Sequence, residues 1–140
     1  MRSSIPPDAL TGMLVLVACD ASDSRDLIKR VLEGAGASVE VAGSAREALA
    51  AIEREKPDAM IADIGMLGDD GDSLMRRIRA VDPGAGGRIP AVALSGLASA
   101  EDRAFALLAG YEELLPKPAS PLDLVKVVER LVRRSGEHPS

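Results

Sequence analysis

Ala59-Met60-Ile61-Ala62-Asp63, running on into Ile64-Gly65-Met66-Leu67-Gly68-Asp69-Asp70-Gly71, reads as a buried strand that ends on a carboxylate and meets a glycine-rich turn. An uninterrupted apolar strand suits a parallel sheet covered on both faces. A polar residue closing it stands at the carboxyl edge, where open α/β folds bind their ligands. Three more segments end the same way: 13–18 leads to Cys19-Asp20, 89–94 to Ser95, and 112–115 to Lys117-Pro118. Taken singly, such an acid or serine is commonly a cap or turn former and such a lysine a solvated charge. Four together, on four strand ends, form a constellation.

Helical patterns alternate with these strands. Segment 22–33 puts Leu27, Ile28, Val31 and Leu32 on one face, and Gly34 and Gly36 stop it. After a short strand at 38–42, Ser44 can cap a helix with Glu47 three residues on, a capping-box pair, and Ala48, Leu49 and Ile52 facing inward. Segment 72–81 buries Leu74, Met75 and Ile78, and Ser99 caps a helix to Ala109. Ser120 caps the last helix, with Pro121 first and Leu122, Leu124, Val125, Val128, Leu131 and Val132 on its apolar side. Five strand–helix units predict an α/β fold, a doubly wound five-stranded parallel sheet. The domain is expected over 12–134, between a flexible lead-in at 1–11 and a flexible tail at 135–140.

Composition narrows the function classes. The chain has 140 residues, enough for one core, and only 1% aromatics (Phe105 and Tyr111), so that core is built of Leu, Val, Ile, Met and Ala. A net charge of −5 with no basic stripe disfavours direct nucleic-acid binding. A single cysteine excludes an internal disulfide and a cysteine-based metal cage. No apolar run is long enough to span a bilayer and the N-terminus lacks a signal-peptide pattern, so a cytoplasmic location without membrane insertion is expected.

If the strands are parallel, Asp20, Asp63, Ser95 and Lys117 emerge at one edge. Two neighbouring carboxylates repel unless a cation compensates. Mg²⁺ resolves the conflict, taking one or two carboxylates, a backbone carbonyl and waters, with room for a phosphate oxygen. An ammonium and a hydroxyl would serve the other phosphoryl oxygens, leaving Asp63 as the nucleophile that becomes an acyl phosphate.

The stretches LVLVACDASDSRDLI, PDAMIADIGMLGDDGDSLMRRIR, IPAVALSGLASAEDR and AGYEELLPKPASPLDL together resemble the response-regulator receiver domain of two-component signalling, over roughly residues 12–134. The resemblance implies a flavodoxin-like sheet of order 2-1-3-4-5. It implies that Asp63 accepts phosphate from a phosphohistidine on a histidine kinase or histidine phosphotransfer protein. Asp20, Asp63 and the Gly65 backbone carbonyl are then the Mg²⁺ ligands, Ser95 the switch hydroxyl and Lys117 the phosphate-binding lysine, with a cis bond before Pro118.

Several positions depart from the receiver pattern. Cys19 stands where the first member of an acidic pair is usual; a thiol is a poor Mg²⁺ ligand and removes a charge, so weakened Mg²⁺ binding is expected. Leu114 occupies the aromatic switch position, so output is expected to travel through Ser95 and the segment 96–101. Tyr111 is expected to pack. Leu67 replaces a common proline, which should loosen the turn beside Asp63. Gly65 and Leu97 offer no side chain to orient water, so slow self-dephosphorylation is expected.

Two function classes follow: a phosphoacceptor switch, or a pseudo-receiver interaction module whose metal site Cys19 has impaired. In neither is the chain an enzyme acting on a separate substrate. A haloacid-dehalogenase-type phosphatase wants a second aspartate where Gly65 stands, and flavin binding wants a phosphate loop after the first strand. His138, the single histidine, lies in the polar tail and is not expected to be a phosphodonor. The sequence style resembles C-terminal receivers of hybrid sensor histidine kinases, while Met1 equally suits a natural start. The face of the fourth helix, fifth strand and fifth helix is the expected surface for a homodimer or partner.

Overall fold

The computed structural model describes residues 6–63, 70–81, 84, 86–96 and 99–137, without the side chains of 70–73 and 134–137. Apolar strands and amphipathic helices alternate along it: β1 (Leu14–Ala18), α1 (Ser22–Gly34), β2 (Ser38–Ala42), α2 (Ala45–Glu55), β3 (Ala59–Asp63), α3 (Asp70–Arg79), β4 (Ala91–Ser95), α4 (Ala100–Ala109), β5 (Glu113–Pro116) and α5 (Pro121–Glu137). The strands form one parallel sheet in the order β2-β1-β3-β4-β5. That is the flavodoxin-like arrangement expected from the sequence.

Strand side chains alternate between faces, and two cores result. Leu16, Ala18, Met60, Ala62, Ala91 and Ala93 pack with Ala48 and Ile52 of α2, Leu74, Met75 and Ile78 of α3, and Ala106 and Ala109 of α4. Val15, Val17, Cys19, Ala59, Ile61, Val92 and Leu94 pack on the other face with Ile28 and Leu32 of α1 and Val125, Val128 and Leu131 of α5. Tyr111 is buried in the first core, as expected, and Leu114 is buried there too. Ser44, Ser99 and Ser120 each accept a backbone N–H three residues on, so all three predicted caps form. Glu47, however, accepts the Gly43 N–H rather than that of Ser44, so the capping box expected at α2 is not closed. Helix α1 starts differently: its cap residue is Ala21, with no side-chain capping bond.

Three expectations are revised. Leu27 is 60% exposed; α1 seats Ile28 and Leu32, one turn apart, and its seam on the sheet is too narrow to include Leu27. The lead-in is tied down at its end: Leu10 is fully buried in the α1–α5 core, and its N–H donates to the Ala35 carbonyl at 2.7 Å. An apolar side chain there closes the bottom of that core, which a Pro- and Ser-containing stretch does not advertise. At the other end α5 continues to Glu137, past the expected boundary at 134. Gly136 weakens a helix by about 1 kcal/mol but does not end this one.

Candidate active site

Parity along the strands decides which side chains meet at the carboxyl edge. Cys19 continues the row of Val15 and Val17, Asp63 that of Ala59 and Ile61, and Lys117 that of Leu115, all on the α1–α5 face. The three do converge. Asp63, only 2% exposed, receives the Lys117 ammonium on Oδ2 at 2.7 Å. Cys19 Sγ directs a long, weak hydrogen bond of 3.9 Å to the same oxygen. Ser95 continues the other row, with Ala91 and Ala93, and is half-buried. Its backbone carbonyl accepts the Lys117 N–H at 2.9 Å, tying the end of β4 to the lysine loop. The peptide bond before Pro118 is cis, as the resemblance implies.

Asp20 lies one residue beyond Cys19 and is exposed on the rim. Gly65, expected to offer its carbonyl, lies outside the described residues, as do Leu67, Leu97 and His138. Among the described residues no three His, Cys, Asp or Glu side chains converge on one metal position. Among the described residues the edge offers the Asp20 and Asp63 carboxylates, hard oxygen donors of the kind that suit Mg²⁺.

Cys19 is completely buried and adds no charge to that set. Burial pushes its thiol pKa up and Asp63 and Asp20 push it further, against the hydrogen bond at the Ala21 carbonyl and, more weakly, the Lys117 ammonium. The thiol is therefore protonated at neutral pH. Its backbone is held from both sides: the Cys19 N–H donates to Ala42 of β2 at 2.9 Å, and the Cys19 carbonyl accepts Arg25 Nη1 at 3.0 Å.

Sequence reasoning passed over Arg25. Its signal was present: a cation on the first turns of a helix faces the positive end of the helix dipole, where acids are favoured.

The α4 surface is also distinctive. Phe105, Leu107 and Leu108 are all exposed, Leu108 by 86%, while the buried side of the helix is only Ala106 and Ala109. Arg103 of this helix donates to the Leu114 carbonyl of β5 at 3.2 Å. No helix among the described residues is long and apolar enough to cross a membrane.

A family model described as the response regulator receiver domain matches residues 15–129. A Leptolyngbya boryana protein, "Uncharacterized 14.6 kDa protein in sodA1 3'region", is 41% identical over 121 residues, 86% of this chain and 91% of that one. The transcriptional regulatory protein PrrA of Mycobacterium bovis is 36% identical over 127 residues, 91% of this chain and 53% of that protein. The chain thus spans about half the length of PrrA and most of the Leptolyngbya protein. Among solved structures, a Francisella response-regulator receiver domain superposes with a TM-score of 0.78 at 31% identity, covering 89% of this chain and 99% of its own. The receiver domain of a Pseudomonas aeruginosa sensor histidine kinase, solved with magnesium coordinated in its active-site cleft, gives 0.78 at 29% identity, covering 88% and 99%.

Proposed function

The chain belongs to the response regulator receiver domain family of two-component signalling, and from that membership we propose that Asp63 is its phosphoacceptor, taking a phosphoryl group from a phosphohistidine on a partner protein. The observation that carries the reading is the pairing of a nearly buried strand-end carboxylate with a lysine delivered by another strand end, 2.7 Å apart.

In the transfer an Asp63 carboxylate oxygen attacks phosphorus. The new O–P bond forms as the P–N bond to the donor imidazole breaks, and the electron pair stays on the imidazole nitrogen. Lys117 faces the developing charge on the phosphoryl oxygens, an electrostatic role of the kind that dominates such reactions, and its contact with Asp63 supports that role. Ser95, joined to Lys117 through the backbone, supplies a hydroxyl for another phosphoryl oxygen. Asp20, Asp63 and the Gly65 carbonyl would hold Mg²⁺, which neutralises phosphoryl charge when bound. Cys19 contributes a neutral, soft thiol where receivers usually carry an acid, so Mg²⁺ is held more weakly than by an acidic pair.

The donor is a histidine kinase or histidine phosphotransfer protein, in the cytoplasm, and the chain is an acceptor rather than an enzyme with a separate substrate. Leu114 cannot act as an aromatic switch, so the signal leaves through Ser95 and α4. The exposed Phe105, Leu107 and Leu108 favour the α4–β5–α5 face for a partner or homodimer. One observation favours the second reading, a pseudo-receiver: the neutral Cys19 thiol beside Asp63.

Treatment with phosphodonor and Mg²⁺ followed by borohydride separates the two. Reduction of an acyl phosphate converts its aspartate to homoserine, so homoserine at position 63 supports the acceptor. An unmodified Asp63 at high Mg²⁺, with partner binding intact, supports the pseudo-receiver.

A further inference from the structure

Arg25 is a cation at the carboxyl edge that the proposed transfer does not use. It is the fourth residue of α1, and its side chain turns back toward the start of its own helix, as helical side chains do. Nη1 donates to the Cys19 carbonyl at 3.0 Å. Nε is buried with no hydrogen-bond partner among the described residues, and the side chain makes no ion pair there. A guanidinium in that state is not held by charge pairing. It is held by the shape of the slot and by one carbonyl.

The slot is made by Gly43, just past β2. A Cβ on Gly43 would lie 2.8 Å from Arg25 Nη1, closer than real contacts allow. The backbone of Gly43 is not left-handed, so its lack of a side chain serves the guanidinium rather than a turn. On the far side, the Gly43 N–H donates to Glu47 Oε1 at 2.9 Å, fixing the β2–α2 loop against which Arg25 lies.

The bonded carbonyl belongs to the Cys19–Asp20 peptide. With the Cys19 N–H on Ala42 and its C=O on Arg25, the peptide planes on either side of Cys19 are each held by one hydrogen bond, and the plane leading into Asp20 is the one Arg25 holds. We propose that Arg25 is a positioning residue: through the Cys19 carbonyl it holds the Cys19–Asp20 turn so that the Asp20 carboxylate is presented for a divalent cation, and Gly43 is the gap that admits it. The inference rests on the Mg²⁺ site of the proposed function. It matters more here than beside an acidic pair, because Asp20 is the one acid left after β1.

Position and charge pull in opposite directions, which makes the claim testable. Arg25's own charge repels a divalent ion, so a purely electrostatic role predicts tighter Mg²⁺ binding when it is removed. Positioning predicts weaker binding. Gly43→Ala separates them, since it removes no charge from the protein and displaces only the tip of Arg25.

The experiment is Mg²⁺ titration calorimetry on wild type, Gly43→Ala, Arg25→Met and Arg25→Lys, with folding checked by circular dichroism and the Asp20 amide followed by NMR in metal-free buffer. The expected result is a three- to tenfold rise in the Mg²⁺ Kd for Gly43→Ala and Arg25→Met, partial rescue by Arg25→Lys, and a displaced Asp20 amide resonance in both affected variants. A Kd within twofold of wild type in folded Gly43→Ala, or tighter binding in Arg25→Met, overturns the proposal. So does a wild-type protein that binds no Mg²⁺. Phosphate uptake on Asp63 is measured separately, so failure of the phosphoacceptor reading shows independently of these outcomes.

Discussion

Lys117 Nζ stands 2.7 Å from Asp63 Oδ2, a lysine 30% exposed against a carboxylate 2% exposed. The pair joins the end of β3 to the loop after β5, across the end of β4. It places a cation on the one buried carboxylate among the described residues.

Replacing Lys117 by Met should therefore act twice. Phosphorylation by a small phosphodonor should slow by roughly 10²-fold, the usual cost of losing one preorganised charge-stabilising donor. Without Mg²⁺ the fold should lose about 3 kcal/mol, since removing one partner leaves a buried charge uncompensated. Denaturant unfolding with and without Mg²⁺ checks the second effect, and added Mg²⁺ should recover part of it.

Cys19→Asp should restore the acidic pair. The expected outcome is Mg²⁺ binding tighter by about tenfold, as an extra carboxylate joins the oxygen set. In metal-free buffer the melting temperature should fall, because the new carboxylate enters a buried position beside Asp63. Mg²⁺ should reverse that loss. Calorimetry and thermal melts at two Mg²⁺ levels test both halves.

The thiol itself gives a pH dependence. Its folded-state pKa is raised above the ordinary 9.0 by burial first and then by Asp63 and Asp20. A raised pKa contributes stability that is fully present below the unfolded value and is lost as pH climbs through the folded one. Stability should thus not vary with Cys19 ionisation around pH 7 and should fall with pH above about 9 in wild type. In Cys19→Ser that component of the slope should vanish. Urea titrations between pH 7 and 10.5 measure it.

Arg79 clips the opposite edge of the sheet. Its guanidinium donates to the carbonyls of Gly110, Gly87 and Ile89 and to Glu112, whose Oε1 also accepts the Ala91 N–H. Arg79→Ala should cost about 3 kcal/mol by orphaning these acceptors, while phosphate uptake by the folded fraction stays unchanged. Leu10→Ala should likewise cost about 3 kcal/mol, the typical loss for a buried Leu, and leave the site alone.

Much of this was legible in the residues. The apolar runs and serine caps give the strands and helices, and the polar strand ends locate the edge where Asp63 and Lys117 meet. Alternation on a pleated strand even places Cys19 on the row that faces Asp63. Less visible were contacts that no periodicity encodes. Arg25 reaches a backbone carbonyl through a gap left by Gly43, a relation between two loops that becomes apparent only when β1 and β2 lie side by side. Leu10 packs although its neighbours Pro6, Pro7 and Asp8 read as loop, because burial there is decided by the open bottom of the α1–α5 core. Leu27 misled for the converse reason: it fits the helical period, but α1 buries only Ile28 and Leu32 and leaves Leu27 exposed.

The central claim is that Asp63 takes up phosphate. Intact-mass measurement of wild type and Asp63→Asn, after incubation with a small phosphodonor and Mg²⁺, tests it most directly. The account predicts a gain of one phosphoryl group in wild type, lost on mild alkaline treatment and absent from Asp63→Asn. A gain that persists in Asp63→Asn, or none in wild type at raised Mg²⁺, would contradict it.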